Sequence, residues 1–202
     1  MRMNKNGSQT FAPPSMQDNA IENIRIIRET MERATSFTAV PGKGTMLIGA
    51  SAILTSIIAS FISSPTAWLI CWVIDAIFAI SIGVVMMNRK AENAGLPLLS
   101  GPGKRFIVSL CIPLVSGLIL TILFYQNGLI QFLPGLWLLL YGAGVITGGM
   151  FSVRIVPIMG GCFMALGFFA LFIEPYAPWF MAIGFGALHI IFGQIIAKNY
   201  GG

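Results

Sequence analysis

Charge is what this sequence has least of. Only 9% of its residues are charged, against about 25% in soluble domains. So little charge beside 56% hydrophobic residues excludes a soluble globular domain and a disordered chain alike. Histidine occurs once and cysteine three times. One histidine excludes a bis-histidine haem within the chain, and no Cys/His spacing suits zinc. Cys71, Cys111 and Cys162 lie inside apolar runs and read as small packing residues rather than a disulfide framework. There is no HExxH. The segment Ser100-Gly101-Pro102-Gly103-Lys104 lacks the second glycine and the hydroxyl residue that a phosphate loop needs. No cofactor is expected. The alternating ten-residue segments of a membrane β-barrel are missing too.

What the chain does have is apolar runs, at 44–62, 66–87, 106–125, 132–151, 155–173 and 179–197. A hydrocarbon core of ~30 Å takes about 20 helical residues to cross. Backbone amides cannot stay unpaired in lipid, so the runs predict helices. Asp75 is the one formal charge in all six. The expected fold is an all-α, polytopic membrane bundle of six transmembrane helices. Pro41-Gly42-Lys43 before the first run recurs as Pro102-Gly103-Lys104 before the third, which raises three tandem helical hairpins as one arrangement.

The 12 basic residues all fall before the first run or after an even-numbered one. The positive-inside rule therefore predicts that both termini are cytoplasmic. Flanking bases of this kind write topology, so the net charge of +5 does not predict a nucleic-acid partner. Trp68, Trp72, Trp137 and Trp179 all lie near the other ends of their spans, which predicts an interfacial belt with Tyr125 and Tyr176. No apolar leader precedes residue 44, so the first span is expected to act as the insertion signal.

Residues 1–16 read as a disordered tail. Over 17–38 the pattern predicts a cytoplasmic amphipathic helix, with Ile21, Ile24, Ile27 and Met31 in one narrow stripe. Pairs at i,i+4 (Arg28 with Glu32, Glu29 with Arg33) suit a solvated opposite face. The stripe can rest on lipid headgroups or serve as a docking face, for a partner protein or for self-association.

Four polar side chains inside the runs are candidates for a proton or solute site. Asp75 costs about 2.5–3.5 kcal/mol at the bilayer centre, so it should face inward. Trp68, Trp72 and Asp75 fall on one helical face. His189 stands between Gly186 and Gly193, and Gln194 follows it closely. Thr147 lies between Gly144 and Gly148, whose spacing marks a close-packing face, as do Gly186 and Gly193. Asp75 and His189 are level in depth, which makes a proton-holding pair conceivable if their helices meet. A rhomboid-type intramembrane protease also has six helices with a histidine on the sixth. Here Thr147 replaces the serine and lies about two turns from the depth of His189, so no catalytic residue is assigned. Pro113 and Pro157 are expected to kink their helices near one end.

Three stretches carry a resemblance. They are Arg28-Glu29-Thr30-Met31-Glu32-Arg33, Gly95-Leu96-Pro97-Leu98-Leu99-Ser100-Gly101-Pro102-Gly103, and Met150-Phe151-Ser152-Val153-Arg154-Ile155-Val156-Pro157. They resemble segments of an uncharacterised family of short bacterial six-span integral membrane proteins. The resemblance implies a bacterial inner-membrane location and supplies no activity or site residue. Two functions follow as expectations. One is a non-enzymatic accessory or sensor/regulatory subunit acting through a partner. The other is a small permease or channel for a small or proton-coupled solute, using Asp75 and His189.

Overall fold

A computed structural model describes residues 21, 23–25, 27, 37–95, 98–99, 101–173 and 176–200. The chain divides into two compact units, Met1–Thr35 and Ser36–Gly202. In the first, the described residues are helical, and Ile21, Ile24 and Ile27 of the apolar stripe are exposed. Met31 lies outside the described residues.

The second unit is built from six helices long and apolar enough to cross a membrane. They are α1 (Gly42–Ser60), α2 (Pro65–Asn93), α3 (Gly101–Gln126), α4 (Leu133–Gly149), α5 (Ile155–Phe172) and α6 (Ala177–Tyr200). A 3-10 turn, Ile130–Phe132, leads into α4. The fold is all-α: among the described residues the β pairing is one isolated bridge, Phe37 to Ser152. A multi-pass membrane protein is the class these helices define.

Local chemistry sets the helix ends. Pro41 precedes α1, and Thr45 Oγ1 donates to its carbonyl at 2.8 Å. Ser64 caps α2, its Oγ accepting from Ala67 N at 3.4 Å, and Pro65 occupies the first turn where no N–H is needed. Gly95 ends the α2 region at φ 67° and Gly128 turns the chain after α3 at φ 70°, conformations that only glycine adopts cheaply. Pro157 falls in the first turn of α5. The kink expected there has no cause, because a first-turn proline removes no helical hydrogen bond. Pro113 does sit inside α3.

Glycine draws the helices together. On α4, Gly135, Gly142 and Gly149 recur every seventh residue and face Leu171, Gly160 and Pro157 of α5. On α5, Gly160 and Gly167 face Ile146 and Leu139 in return. The same device joins α1 to α6. Gly42 and Gly49 meet Ala197, Gly186 and Ile190, while Gly186 and Gly193 meet Ile53 and Met46. Lipid offers no hydrophobic drive for helix association, so backbone approach and van der Waals contact must supply it. Gly144 and Gly148 form a third face, against Leu110 and Phe106 of α3.

By contrast α2 lies at the periphery, and its buried residues are Asp75 and Ala91 alone. Ile70, Ile74, Ile77, Phe78 and Ile80 of α2 are exposed, as are Ile112, Ile119 and Ile122 of α3. In a membrane protein such faces meet lipid.

Two sequence expectations change. The helix predicted over 17–38 does not reach Phe37, which is extended and buried (6% exposed). Phe37 N donates to Phe151 O, Ser152 Oγ donates to Phe37 O at 2.7 Å, and the Phe37 ring packs 5.1 Å from Phe106. These contacts take up both backbone polar groups of Phe37. Secondly, the tryptophans are not all an interfacial belt. Trp179 is exposed, as are Tyr125 and Tyr176. Trp68 and Trp72, however, pack against the core. Trp137 covers Gly117 of α3 and donates from Nε1 to Thr121 Oγ1 at 2.9 Å. At α3 a large ring fills the gap that a small residue leaves.

Candidate functional site: a caged histidine and a buried carboxyl

His189 is positioned by an irregularity in its own helix. Residues Ala182–Leu188 of α6 form a π-helical turn, with His189 as the first residue of the α-helix that follows. π turns widen the backbone and recur at functional positions. Gly184 within the turn stands against Leu138 of α4, in contact too close for a side chain.

The imidazole is 2% exposed. Its Nε2 lies 2.7 Å from the Tyr141 hydroxyl of α4. Around it, Phe163 of α5 approaches edge-on at 5.2 Å between ring centres, and Phe185 stacks at 6.1 Å. Tyr141 itself packs edge-on to Phe163 at 4.8 Å and against Phe185 at 5.2 Å. Nδ1 has no hydrogen-bond partner among the described residues, although the carbonyls of Gly184 and Phe185 in the π turn lie near the ring. Three helices thus close an aromatic cage on one histidine. Its chemistry is that of a shielded donor–acceptor pair with a phenol.

Asp75 is the second buried polar group, 8% exposed. It points from α2 onto α1, toward the hydroxyls of Ser51 and Thr55. Those two residues are one turn apart and share a face. Ser51 Oγ also donates to Ile48 O at 2.9 Å. The expected face of Trp68, Trp72 and Asp75 is therefore the one turned inward. Trp72 packs 6.4 Å from Phe185, yet its buried Nε1 has no hydrogen-bond partner among the described residues.

The four candidate polar groups are not brought together. Asp75 has Ser51 and Thr55, whereas His189 has Tyr141 and the two phenylalanines. Thr147 is exposed, and its Oγ1 donates to Ala143 O of its own helix (2.9 Å), with Ser109 O of α3 an alternative acceptor at 3.2 Å. Gln194 is exposed on α6. Tyr141, Ser51 and Thr55 went unremarked in the sequence. Ser51 and Thr55 carried a usable signal, two hydroxyls at i,i+4 in an apolar run. Among the described residues no cluster of three or more His, Cys, Asp or Glu side chains could hold a metal ion.

No family model, curated protein or solved structure matches the chain. The resemblance to bacterial six-span proteins therefore rests on the quoted segments alone.

Proposed function

We propose that the protein is a non-enzymatic accessory or regulatory subunit of the bacterial inner membrane, with both termini in the cytoplasm, acting through a protein partner. The observation that carries this reading is the dispersal of its polar groups. A permease gathers polar side chains and interrupted helices along one path near the midplane. Here Thr147 and Gln194 turn to the outside, and His189 is enclosed by three aromatic rings. The space between helices is taken up by backbone contact at the glycines. The exposed Ile21, Ile24 and Ile27 supply a docking stripe.

Purified protein in sealed liposomes tests this directly. Proton leak and osmotic response should match those of protein-free vesicles. In native membranes, a photo-crosslinker at Ile24 should give one discrete protein adduct, lost when Ile21 and Ile27 become aspartate. Solute-dependent flux, or the absence of any adduct, would refute the proposal.

A further inference from the structure

A run of aromatic rings connects the start of α2 with the histidine cage. Trp68 lies in the first turn of α2, and Trp72 one turn further on, with their ring centres 6.1 Å apart. Trp72 packs 6.4 Å from Phe185, and Phe185 packs 5.2 Å from Tyr141. The run ends at the 2.7 Å contact between the Tyr141 hydroxyl and His189 Nε2. Indole and phenol rings give up single electrons readily, and rings in contact pass electrons between them.

Hydrogen bonding along the run is unequal, and this sets its direction. An oxidised phenol is a strong acid, and it settles as a neutral radical only where a base takes its proton. Tyr141 has that base within the reach that proton transfer requires. The groups near the other side of the imidazole are the Gly184 and Phe185 carbonyls, which can only accept. They favour a hydrogen on Nδ1, which leaves Nε2 bare to accept from the phenol. Trp72 is the opposite case, because its buried Nε1 has no hydrogen-bond partner among the described residues. An oxidised indole there keeps its proton, remains the stronger oxidant, and draws its missing electron from Tyr141.

We propose that Tyr141 and His189 form a redox-active couple, oxidised through Trp68 and Trp72 by peroxyl radicals at the membrane surface. A peroxyl radical takes one electron from Trp68 and one proton from water, and becomes a hydroperoxide. Trp72 refills Trp68, and Tyr141 refills Trp72 past the Phe185 ring. As Tyr141 yields its electron, the phenolic proton moves to His189 Nε2. A neutral tyrosyl radical then stands beside an imidazolium whose Nδ1–H has the two carbonyls nearby. The couple goes beyond the accessory role and does not depend on any partner.

The chain has four tyrosines. A protein with Tyr125, Tyr176 and Tyr200 changed to phenylalanine keeps Tyr141 alone. In nanodiscs of saturated lipid, a water-soluble azo initiator supplies peroxyl radicals from the water phase. Tyr141 stands eight residues into α4, about 12 Å along it and beyond their direct reach. Electron paramagnetic resonance of frozen samples should show a tyrosyl radical, narrowed by ring-deuterated tyrosine and lost in Tyr141→Phe. Trp72→Phe should remove most of the signal. His189→Phe should slow its appearance about 10²-fold, the lower end of what a positioned base contributes. Deuterium oxide should slow it as well with Tyr141 and His189 unaltered, a readout that stands whether or not the His189 variant folds. Indole radicals alone, or no radical, would overturn the proposal. So would a tyrosyl signal that Trp72→Phe or deuterium oxide leaves unchanged.

Discussion

Adjacent glycines on α5 offer a test of the packing with its control built in. A Cβ at Gly160 would stand 2.7 Å from Gly142 O, 2.8 Å from Ile146 Cγ1 and 2.8 Å from Ile146 N. Comfortable carbon contacts begin near 3.5 Å. Two of the three clashing atoms are backbone, so α4 and α5 must separate by several tenths of an ångström. That separation also pulls on the contacts of Gly135 and Gly167, which share the interface. Overpacking of this kind costs about 1–3 kcal/mol. At Gly161 a Cβ meets nothing within 4 Å, and the residue is exposed. There alanine brings only its better helix propensity, worth up to about 1 kcal/mol. The expected result is therefore opposite signs at neighbouring positions. Gly160→Ala should be destabilised by about 1–3 kcal/mol and Gly161→Ala unchanged or stabilised by under about 1 kcal/mol. Reversible unfolding in mixed micelles, followed by circular dichroism, measures both. Equal shifts at the two sites would mean that the heptad glycines do not hold α4 against α5.

Tyr141→Phe removes the partner of His189 Nε2 and should cost about 0.6–1.7 kcal/mol, the range of hydrogen bonds between membrane helices; no loss in the same unfolding assay would contradict the bond. Because their partner sets are separate, Asp75→Asn and His189→Phe should add within about 0.5 kcal/mol, and a larger coupling in the double mutant would show that the two sites communicate. Trp137→Phe should be more damaging than Trp72→Phe by about 1–2 kcal/mol, since only the first breaks a hydrogen bond and the second removes a buried unpaired donor; the reverse order would be fatal to this account. Truncation before residue 36 should leave a bundle of normal stability, whereas truncation through residue 38 should lower it measurably by removing Phe37; identical melting of the two proteins would refute the role given to Phe37. Reporters active only outside the membrane should work when fused at Ser64, Asn127 and Ala177 and fail at Asn93, and activity at Asn93 would overturn the proposed orientation.

The spans were legible because membrane thickness fixes helix length, and composition then needs no tertiary information. The inward face of α2 was legible for a related reason. A charge cannot face lipid, so Asp75 orients Trp68 and Trp72 with it. That Thr147 and Gln194 are exposed was not legible, because helices that are apolar all round carry no moment to say which side is in. Threonine satisfies itself by bonding back to its own helix and needs no interior partner. Tyr141 could not be assigned to His189 from sequence, since a pairing 48 residues apart depends on which helices are neighbours. The recurrence of glycine at every seventh residue in α4 and α5 was plain in the sequence, and it held much of that neighbour information.

The attachment of the segment before α1 has a mechanical consequence. Tension applied along the N-terminal segment does not reach α1 first. It meets Phe37, anchored to the Phe151–Ser152 turn between α4 and α5 and to Phe106 of α3. What passes beyond Phe37 meets Val40, whose carbonyl is held at 3.0 Å by Lys90 Nζ, and the same ammonium grips Tyr200 O at 3.0 Å. A pull on the segment is thus shared among five of the six helices before the first of them can move lengthwise. The strap distributes force in the manner of a bridle, loading one end of the bundle as a whole rather than a single helix.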